Sequence, residues 1–419
     1  MANIEMIFMA AGIIISVGFL ADFIFKKTGF PDILFLILVG IILGPMLKLF
    51  SAEDILSSAP VFSALALMLI LFQGGLNLET HSVLSYSFKS ATLALTHVIL
   101  AVLFIPLLSC LIMGLKWLEG LILGAMAVGT SSVVIIPLML RMKVPEEVRA
   151  TLSLESTITD ALNIILVMVF LDIYFGGFIN PQEIISSLIA KFAVGMFLGV
   201  IVGAAWIKIL GVIKGQEYTY MLTIAALALC YAGTEMLGGS GPLSALVFGI
   251  TLGNFMMMRN LGINVNAKSM QTLMGKIKSF QDELTFLVRA LFFVTLGLIY
   301  VPDLTGFIYA AVIMAANLLL RNLAVKFSTQ NTMLYKYGRF MTLMCGTGLA
   351  NATLSIIVYS EMVTRQIAKA SLYPLIVTNI IIISNAITSL TPSILRIDTE
   401  KGPEKTSIRG IRGRCLEPF

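Results

Sequence analysis

Long apolar runs alternate with short polar segments along the whole chain. Runs of roughly 18 or more apolar residues are long enough for a membrane-crossing helix. They are continuous rather than alternating, which favours helices over the strands of a membrane barrel. The pattern predicts about thirteen spans, near residues 6–25, 31–49, 60–78, 90–114, 118–140, 148–174, 186–210, 219–237, 240–258, 284–301, 305–327, 340–360 and 371–395. Residues 219–258 also fit a single hairpin.

The composition indicates an all-α polytopic membrane protein. Of 419 residues, 58% are hydrophobic and only 12% are charged, against about 25% charged in a soluble protein. The mean hydropathy is +0.97. The first apolar run lacks a preceding Lys or Arg and a small-residue cleavage site, so we expect a span there rather than a signal peptide.

The basic residues predict an orientation. With the N-terminus outside, the cytoplasmic loops and the tail hold 21 Lys and Arg residues, and the opposite loops hold 4. The positive-inside rule therefore places the C-terminus in the cytoplasm of a cell-membrane protein. The net charge of +5 reflects this topology, and we expect membrane lipids rather than nucleic acid as partners.

Two spans are interrupted by small and polar residues. Span 5 contains "VGTSSVV" and span 12 contains "CGTGLANATLS". Interrupted spans at corresponding positions in two halves are typical of the binding sites of transporters with inverted repeats. Spans 1–6 and 8–13 would form the two six-helix repeats, with span 7 as linker. The alternative is that these small residues only allow close helix packing.

Span 6 carries two acids, Glu155 and Asp160, where a charge is costly. On a helix, Glu155 shares a face with Thr159, and Asp160 shares a neighbouring face with Ser156. Arg321 in span 11 is the expected partner of Glu155, because a buried arginine needs a carboxylate. Asp160 then has no fixed countercharge, so a proton and a small cation can compete for it. The alternative is a purely structural charge network.

Hydroxyl groups lie at the interruption of span 5. Thr130, Ser131 and Ser132, together with unwound backbone carbonyls, offer neutral oxygen ligands. Such ligands suit sodium or potassium better than transition metals. We find no metal-ligand spacing for a resident metal and no nucleophile–base pair, so we expect neither a cofactor nor an enzyme.

Arg289 is a third charge within a span. Asp282 or Glu283, one to two turns earlier, is one expected partner. The alternative is that Arg289 acts as a counterion near the cavity and is released when the substrate arrives.

These residues resemble the monovalent cation–proton antiporters, of the prokaryotic sodium/proton exchanger type. "GAMAVGTSSVVIIPLMLRMKVPEEVRATLSLESTITDALNII" is similar to the family's fifth and sixth helices. "LILVGIILGP", "LILFQGGLNLE", "FFVTLGL" and "LLLRNLAV" are similar to its second, third, tenth and eleventh helices. The resemblance runs in order through nearly the whole chain.

The resemblance implies a role for each matching residue. Asp160 matches the essential aspartate that binds the cation or the proton. Glu155 matches a glutamate that pairs with the arginine at Arg321 or helps to coordinate the ion. Ser156 contributes a hydroxyl and Thr130 a carbonyl. Sodium would thus lie at Asp160, Glu155, Ser156 and Thr130.

The chain departs from the family pattern at both interruptions and in span 6. Ser131 stands where the family often has Asp, and Ser132 where it has Pro. Thr159 replaces an Asn, and we expect its hydroxyl to bridge the glutamate and the arginine more weakly. Ala350 and Asn351 replace an Arg-Gly pair. The loss of one acid at Ser131 leaves sodium and potassium open as substrates.

The resemblance also implies a homodimer in which a mobile core slides against a scaffold. The expected units are scaffold spans 1–3 (1–82), core spans 4–6 (83–176), linker span 7 (177–215), scaffold spans 8–10 (216–302), core spans 11–13 (303–397) and a basic tail (398–419). The connection 259–283 has apolar residues near helical spacing and is expected to form an amphipathic helix on the membrane surface.

The function implied is electroneutral 1:1 exchange of sodium for protons by alternating access at Asp160. Potassium/proton exchange is the first alternative. A sodium-coupled symporter of an organic anion would need a roomier pocket and a fixed cation. A cation channel would pass sodium without moving protons in return.

Overall fold

The computed structural model describes residues 4–395 except 29, 48–51, 79, 143, 177–180, 214–217, 261–266 and 331. The predicted tail at 398–419 and part of the predicted connection lie outside these residues. No strand occurs in the described part of the chain. Six apolar stretches there are long enough to cross a membrane: Phe88–Met113, Trp117–Leu140, Glu146–Gly176, Ile189–Val212, Leu304–Thr329 and Leu372–Ile394. Shorter apolar helices accompany them.

The described helices follow the predicted spans closely. They are α1 (Ile4–Thr28), α2 (Asp32–Ile41), α3 (Ala52–Asn77), α4 (Thr80–Met113), α5 (Trp117–Ala127), α6 (Ser132–Arg141), α7 (Glu146–Gly176), α8 (Pro181–Val212), α9 (Thr219–Met236), α10 (Gly241–Gly253), α11 (Phe255–Asn260), α12 (Ala267–Ile299), α13 (Leu304–Thr329), α14 (Gly338–Leu343), α15 (Leu349–Thr364) and α16 (Leu372–Ile394). A π-helical turn, Ile42–Met46, extends α2, and a 3₁₀ turn, Met333–Tyr337, precedes α14.

Both predicted interruptions are present. Residues 128–131 separate α5 from α6, and residues 344–348 separate α14 from α15. Gly129 has φ +115°, a conformation that residues with a side chain rarely adopt. A residue that only glycine fits well therefore lies just beyond the end of α5 at Ala127.

The predicted connection at 259–283 differs from its expected form. From Ala267 onward it is the first half of α12, which continues without a break into predicted span 10. Met270, Met274 and Ile277 are buried in the protein, and the ring of Phe280 lies 4.4 Å from that of Tyr220 in α9. The apolar stripe is thus a packing face for neighbouring helices, which periodicity alone could not distinguish from a membrane-facing one.

Glycine contacts hold one group of helices together. At the contact of α2 and α12, a Cβ on Gly40 would collide with the backbone at Val294, and Gly297 is packed equally tightly against α2. The contact of α3 and α10 repeats this arrangement with Gly75 and Gly249. Small residues at such contacts let helix backbones approach closely.

A second group of helices surrounds the two interruptions. Helix α4 packs on α5, α7 and α13, while α16 packs on α13 and α15. Helix α7 also packs on α5, α6 and α15. Helices α7 and α13 thus border the space where the two interrupted spans meet.

Candidate functional site

The two interrupted spans contact each other directly. The backbone N–H of Ser131 donates to the carbonyl of Gly346 at 2.6 Å. From α15, Asn351 Nδ2 donates to the carbonyl oxygens of Met126 and Val128, at 2.6 and 3.0 Å. The backbone N–H and C=O groups of an unwound segment inside a helix bundle need such partners, because neither water nor a neighbour in the same helix forms their hydrogen bonds.

Glu155 and Arg321 form a fully buried, bidentate ion pair. Arg321 Nη1 lies 3.0 Å from Glu155 Oε1, and Nη2 lies 3.2 Å from Oε2. Both side chains have 0% exposure. The planar guanidinium matches the carboxylate, which is the geometry that makes burial of two charges tolerable.

Arg321 also holds the end of the half-helix α14. Its Nε donates to the carbonyl of Met341 and its Nη2 to that of Met344, both at 3.1 Å. The last carbonyls of a helix have no partner within the helix, so this side chain supplies one. The ion pair consequently fixes both α7 and one interruption to α13.

Thr130 and Ser156 complete the surroundings of Glu155. Thr130 Oγ1 donates to Glu155 Oε2 at 3.0 Å, and Ser156 Oγ donates to the carbonyl of Thr130 at 2.5 Å. The expected bridge from Thr159 is absent: its hydroxyl donates to the carbonyls of Glu155 and Ser156, both at 3.0 Å. A threonine in a helix often bonds to the preceding turn, and this local bond keeps it from Arg321.

Asp160 is placed differently from Glu155. It is half-buried and lines a cavity of about 70 Å³ together with Ser131, Ser132, Gln73 and Arg289. No described side chain forms an ion pair or a hydrogen bond with its carboxylate. The structure therefore brings Asp160 and the hydroxyls of the first interruption to one small space.

Arg289 pairs with other acids than expected. Its Nη2 lies 3.0 Å from Asp32 Oδ2 and 3.8 Å from Asp22 Oδ1. Asp282 instead accepts a hydrogen bond of 2.7 Å from Gln73 Nε2. Arg289 nevertheless lines the cavity at Asp160, so it lies where the alternative interpretation needs it.

A wider, acidic cleft adjoins the small cavity. Its volume is about 470 Å³, and its lining includes three carboxylates, those of Asp22, Asp282 and Glu283. The cleft and the cavity share Gln73 and Arg289 in their linings. A cation entering the cleft would thus approach Asp160 through a negatively charged entrance.

Sequence reasoning missed a group of amides around the first interruption. His97 Nε2 lies 2.9 Å from Asn317 Oδ1, and Asn317 Nδ2 donates to the carbonyl of Ala127 at 3.0 Å. Asn163 Nδ2 donates to the carbonyl of Val128 at 2.5 Å. Each of these residues could have been found in the sequence as a polar side chain inside an apolar span.

His97 links these amides to the ion pair. Its Nδ1 lies 3.4 Å from Arg321 Nη1. Because an arginine cannot accept a hydrogen bond, Nδ1 must be the acceptor and Nε2 must carry the hydrogen. The imidazole is therefore held neutral between Arg321 and Asn317.

Comparisons with known proteins agree with this architecture. The fold is similar to that of the sodium proton antiporter MjNhaP1 from Methanocaldococcus jannaschii, with a TM-score of 0.77 at 23% identity over 94% of this chain and 97% of that one. The same organism's "Probable Na(+)/H(+) antiporter 2" is 28% identical over 385 residues, 86% of each chain.

Other relatives carry a different cation in their names. "K(+)/H(+) antiporter NhaP2" from Shewanella sp. (strain MR-4) is 29% identical over 260 residues, 60% of this chain and 44% of the relative. The match thus spans less than half the length of that relative.

Residues 12–396 match the family described as "Sodium/hydrogen exchanger, transmembrane". The chain therefore belongs to the transmembrane sodium/hydrogen exchanger family.

Proposed function

We propose that this protein exchanges sodium ions for protons across the cell membrane, one for one, with both ions taking turns on Asp160. One observation carries the proposal: a carboxylate that forms no ion pair with a described residue faces a small cavity, beside a second carboxylate that Arg321 neutralises. A free carboxylate can hold one cation or one proton. Competition for that single group couples the two fluxes.

The charges of the loaded states support a 1:1 exchange. Glu155 and Arg321 cancel each other at 3.0 Å. Asp160 is neutral overall when it carries a proton and also when it carries a sodium ion. Because both loaded forms of the site have the same charge, a full cycle would move no net charge.

The ligands available to the cation are oxygens. Ser131 and Ser132 line the cavity with Asp160, and oxygen ligands suit alkali cations. Ser156 and Thr130 are bonded to each other at 2.5 Å. We infer that a bound cation takes oxygens of both residues by displacing this bond, while Glu155 stays with Arg321 as support.

The size of the cavity favours a cation over an organic anion. About 70 Å³ holds a few water molecules or one partly hydrated ion, whereas sites for small organic ligands occupy about 300–1,000 Å³. Arg289, the spare cation that a symporter would use, is already paired with Asp32. The cavity at Asp160 is therefore too small for an organic anion, and the arginine in its wall is already paired, which disfavours the symporter alternative.

We infer thirteen spans arranged as two inverted repeats. Superposing spans 1–6 on spans 8–13 would map the α2–α12 contact onto α10–α3, α4–α7 onto α13–α16, and α5–α7 onto α14–α16. Both members of each of these equivalent pairs pack together. The group around the interruptions would be the mobile core, and the glycine-packed group the scaffold of a homodimer.

Potassium is the second candidate cation. The relatives named K(+)/H(+) antiporters support it, as does Ser131, which supplies a neutral oxygen where an acid would favour the smaller, more strongly hydrated ion. Sodium and potassium titrations on the same purified protein would separate the two, through the ratio of their kcat/KM values.

The proposal is tested in proteoliposomes with an imposed sodium gradient, an internal pH dye, and valinomycin with equal potassium to clamp the voltage. We expect sodium-driven proton movement that is insensitive to voltage and is lost in Asp160→Asn. The matched control is Asp172→Asn, an acid on the same helix that pairs with Lys191 at 2.6 Å; it should retain exchange. Exchange by a folded Asp160→Asn protein at the wild-type rate would refute the proposal.

A further inference from the structure

A second cleft lies at the far end of α13, away from the cavity at Asp160. Its volume is about 520 Å³, and Lys326, Phe327, Gln330, Thr332 and Tyr335 line it. It is formed where α13 ends and the 3₁₀ turn Met333–Tyr337 begins. Neither the ion pair nor the acidic cleft contributes a residue to it.

The chain around this cleft is basic. Between Arg321 and Glu361 the sequence contains no acid, but it contains Lys326, Lys336 and Arg339. All three are exposed, and none forms an ion pair with a described residue. Other exposed or half-exposed cations do find acids, such as Lys89 with Glu147 at 2.8 Å. Positive charge is thus concentrated here without an acidic partner among the described residues.

The polar lining offers unused hydrogen-bond donors. The amide of Gln330 and the phenol of Tyr335 form no hydrogen bond with a described residue, and the same holds for the ammonium group of Lys326. Thr332 Oγ1, in contrast, donates to the carbonyl of Thr329 at 2.7 Å and so holds the turn in shape. Three free donors of this kind suit a group with several acceptor oxygens and a negative charge.

Apolar and aromatic side chains in and beside the cleft are exposed. Phe327 and Tyr335, which line it, are 65% and 57% exposed, and Met333, at the start of the adjoining 3₁₀ turn, is 71% exposed. Aromatic and apolar side chains beside lysines are typical of segments at the boundary between lipid tails and headgroups. The cleft therefore presents phosphate-binding groups next to groups that prefer acyl chains.

We propose that this cleft binds the phosphate of an anionic membrane lipid, with the acyl chains along Phe327 and Met333. The side of the membrane rests on the proposed orientation, which places the end of α13 in the cytoplasm, where basic pockets meet anionic headgroups. Lys326 lies on the helix that carries Arg321. A bound lipid would thus anchor the core helix α13 at the headgroup level.

The test measures lipid binding, so it does not depend on transport. Purified protein in a neutral detergent would be incubated with phosphatidylglycerol, phosphatidylcholine or inorganic phosphate, and bound lipid counted by native mass spectrometry. The test variant is Lys326→Gln/Lys336→Gln/Arg339→Gln. The matched control is Lys268→Gln/Lys276→Gln, two exposed lysines on α12.

We expect wild type and control to retain at least one more phosphatidylglycerol than the test variant, and to hold phosphatidylglycerol at least tenfold more tightly than phosphatidylcholine. Equal retention by the test variant would overturn the proposal, and so would equal binding of the zwitterionic lipid. Displacement of the lipid by millimolar inorganic phosphate would show that the cleft selects free anions instead. Failure of sodium/proton exchange would leave these binding results unaffected.

Discussion

The buried pair of Glu155 and Arg321 leads to a quantitative prediction. Glu155→Gln leaves a buried guanidinium, and Arg321→Gln leaves a buried carboxylate that, among the described residues, keeps only its bond from Thr130. Removing one member of a buried ion pair costs about 3–5 kcal/mol. The double variant leaves no unpaired charge. Its main cost is weaker bonding of the carbonyls of Met341 and Met344, at about 1 kcal/mol each.

We therefore expect the double variant to be no less stable than either single variant. Two single costs of about 3–5 kcal/mol against a double-variant cost of about 2 kcal/mol give a coupling free energy of at least about 4 kcal/mol, above the usual range for contacting residues. The free energy of unfolding would be measured by titration with sodium dodecyl sulfate in mixed micelles, followed by far-ultraviolet circular dichroism. The four proteins share one detergent and one lipid background.

A second cycle on the same helix supplies the control. Glu146 and Arg149 form an ion pair with the same charged groups, but the glutamate is 76% exposed and the arginine 31%. Its coupling should stay below about 1 kcal/mol, as for other surface pairs. Additive effects at Glu155 and Arg321, within 0.5 kcal/mol of the sum, would refute the argument that burial makes this pair interdependent.

Four further results are expected. Gly297→Ala should destabilise the protein by about 2–3 kcal/mol, because a Cβ would collide with the backbone of α2. Gly233 has open space around it, so Gly233→Ala should leave the free energy of unfolding in the same titration nearly unchanged. Competition at one carboxylate should raise the apparent KM for sodium by up to tenfold per pH unit on acidification, and a pH-independent KM in the proteoliposome assay would contradict it. Ser131→Asp should lower the KM for sodium relative to that for potassium. An unchanged ratio of the two KM values would show that Ser131 does not contribute to the cation site. Arg289→Gln should lower the KM for sodium because it removes a positive charge from the cavity wall. It should also destabilise the protein, because Asp32, which is 1% exposed, loses its ion pair with Arg289.

The parts of the fold that follow from local rules could be predicted from the sequence. The length of each apolar run predicted a membrane span. The small residues around Gly129 predicted an interruption, which the structure shows at residues 128–131. The pairing of Glu155 with Arg321 was predictable because few ionisable residues lie inside spans and each needs a partner. These inferences use only chain length, conformational preference and the cost of burying charge.

The errors came from contacts that depend on tertiary packing or on competing local bonds. Arg289 was expected to pair within its own helix, but α2 brings Asp32 to 3.0 Å, and nothing in the spacing shows which helices meet. Thr159 shares a face with Glu155, as predicted, yet its hydroxyl bonds to the backbone of its own helix. A helical face says where a side chain points, but not which acceptor it chooses.

The asparagines around the first interruption explain how residues 128–131 can be unwound without a charged residue among them. The last carbonyls of α5 need donors, and amides from three helices supply them: Asn351 to Met126, Asn317 to Ala127 and Asn163 to Val128. These donors are neutral, so the interruption is stabilised without an added acid or arginine. Among the described residues that line the cavity, Asp160 is the one acid. Under the proposed mechanism, a single acid would tie the exchange of proton and cation to one group, which is what a one-for-one cycle requires.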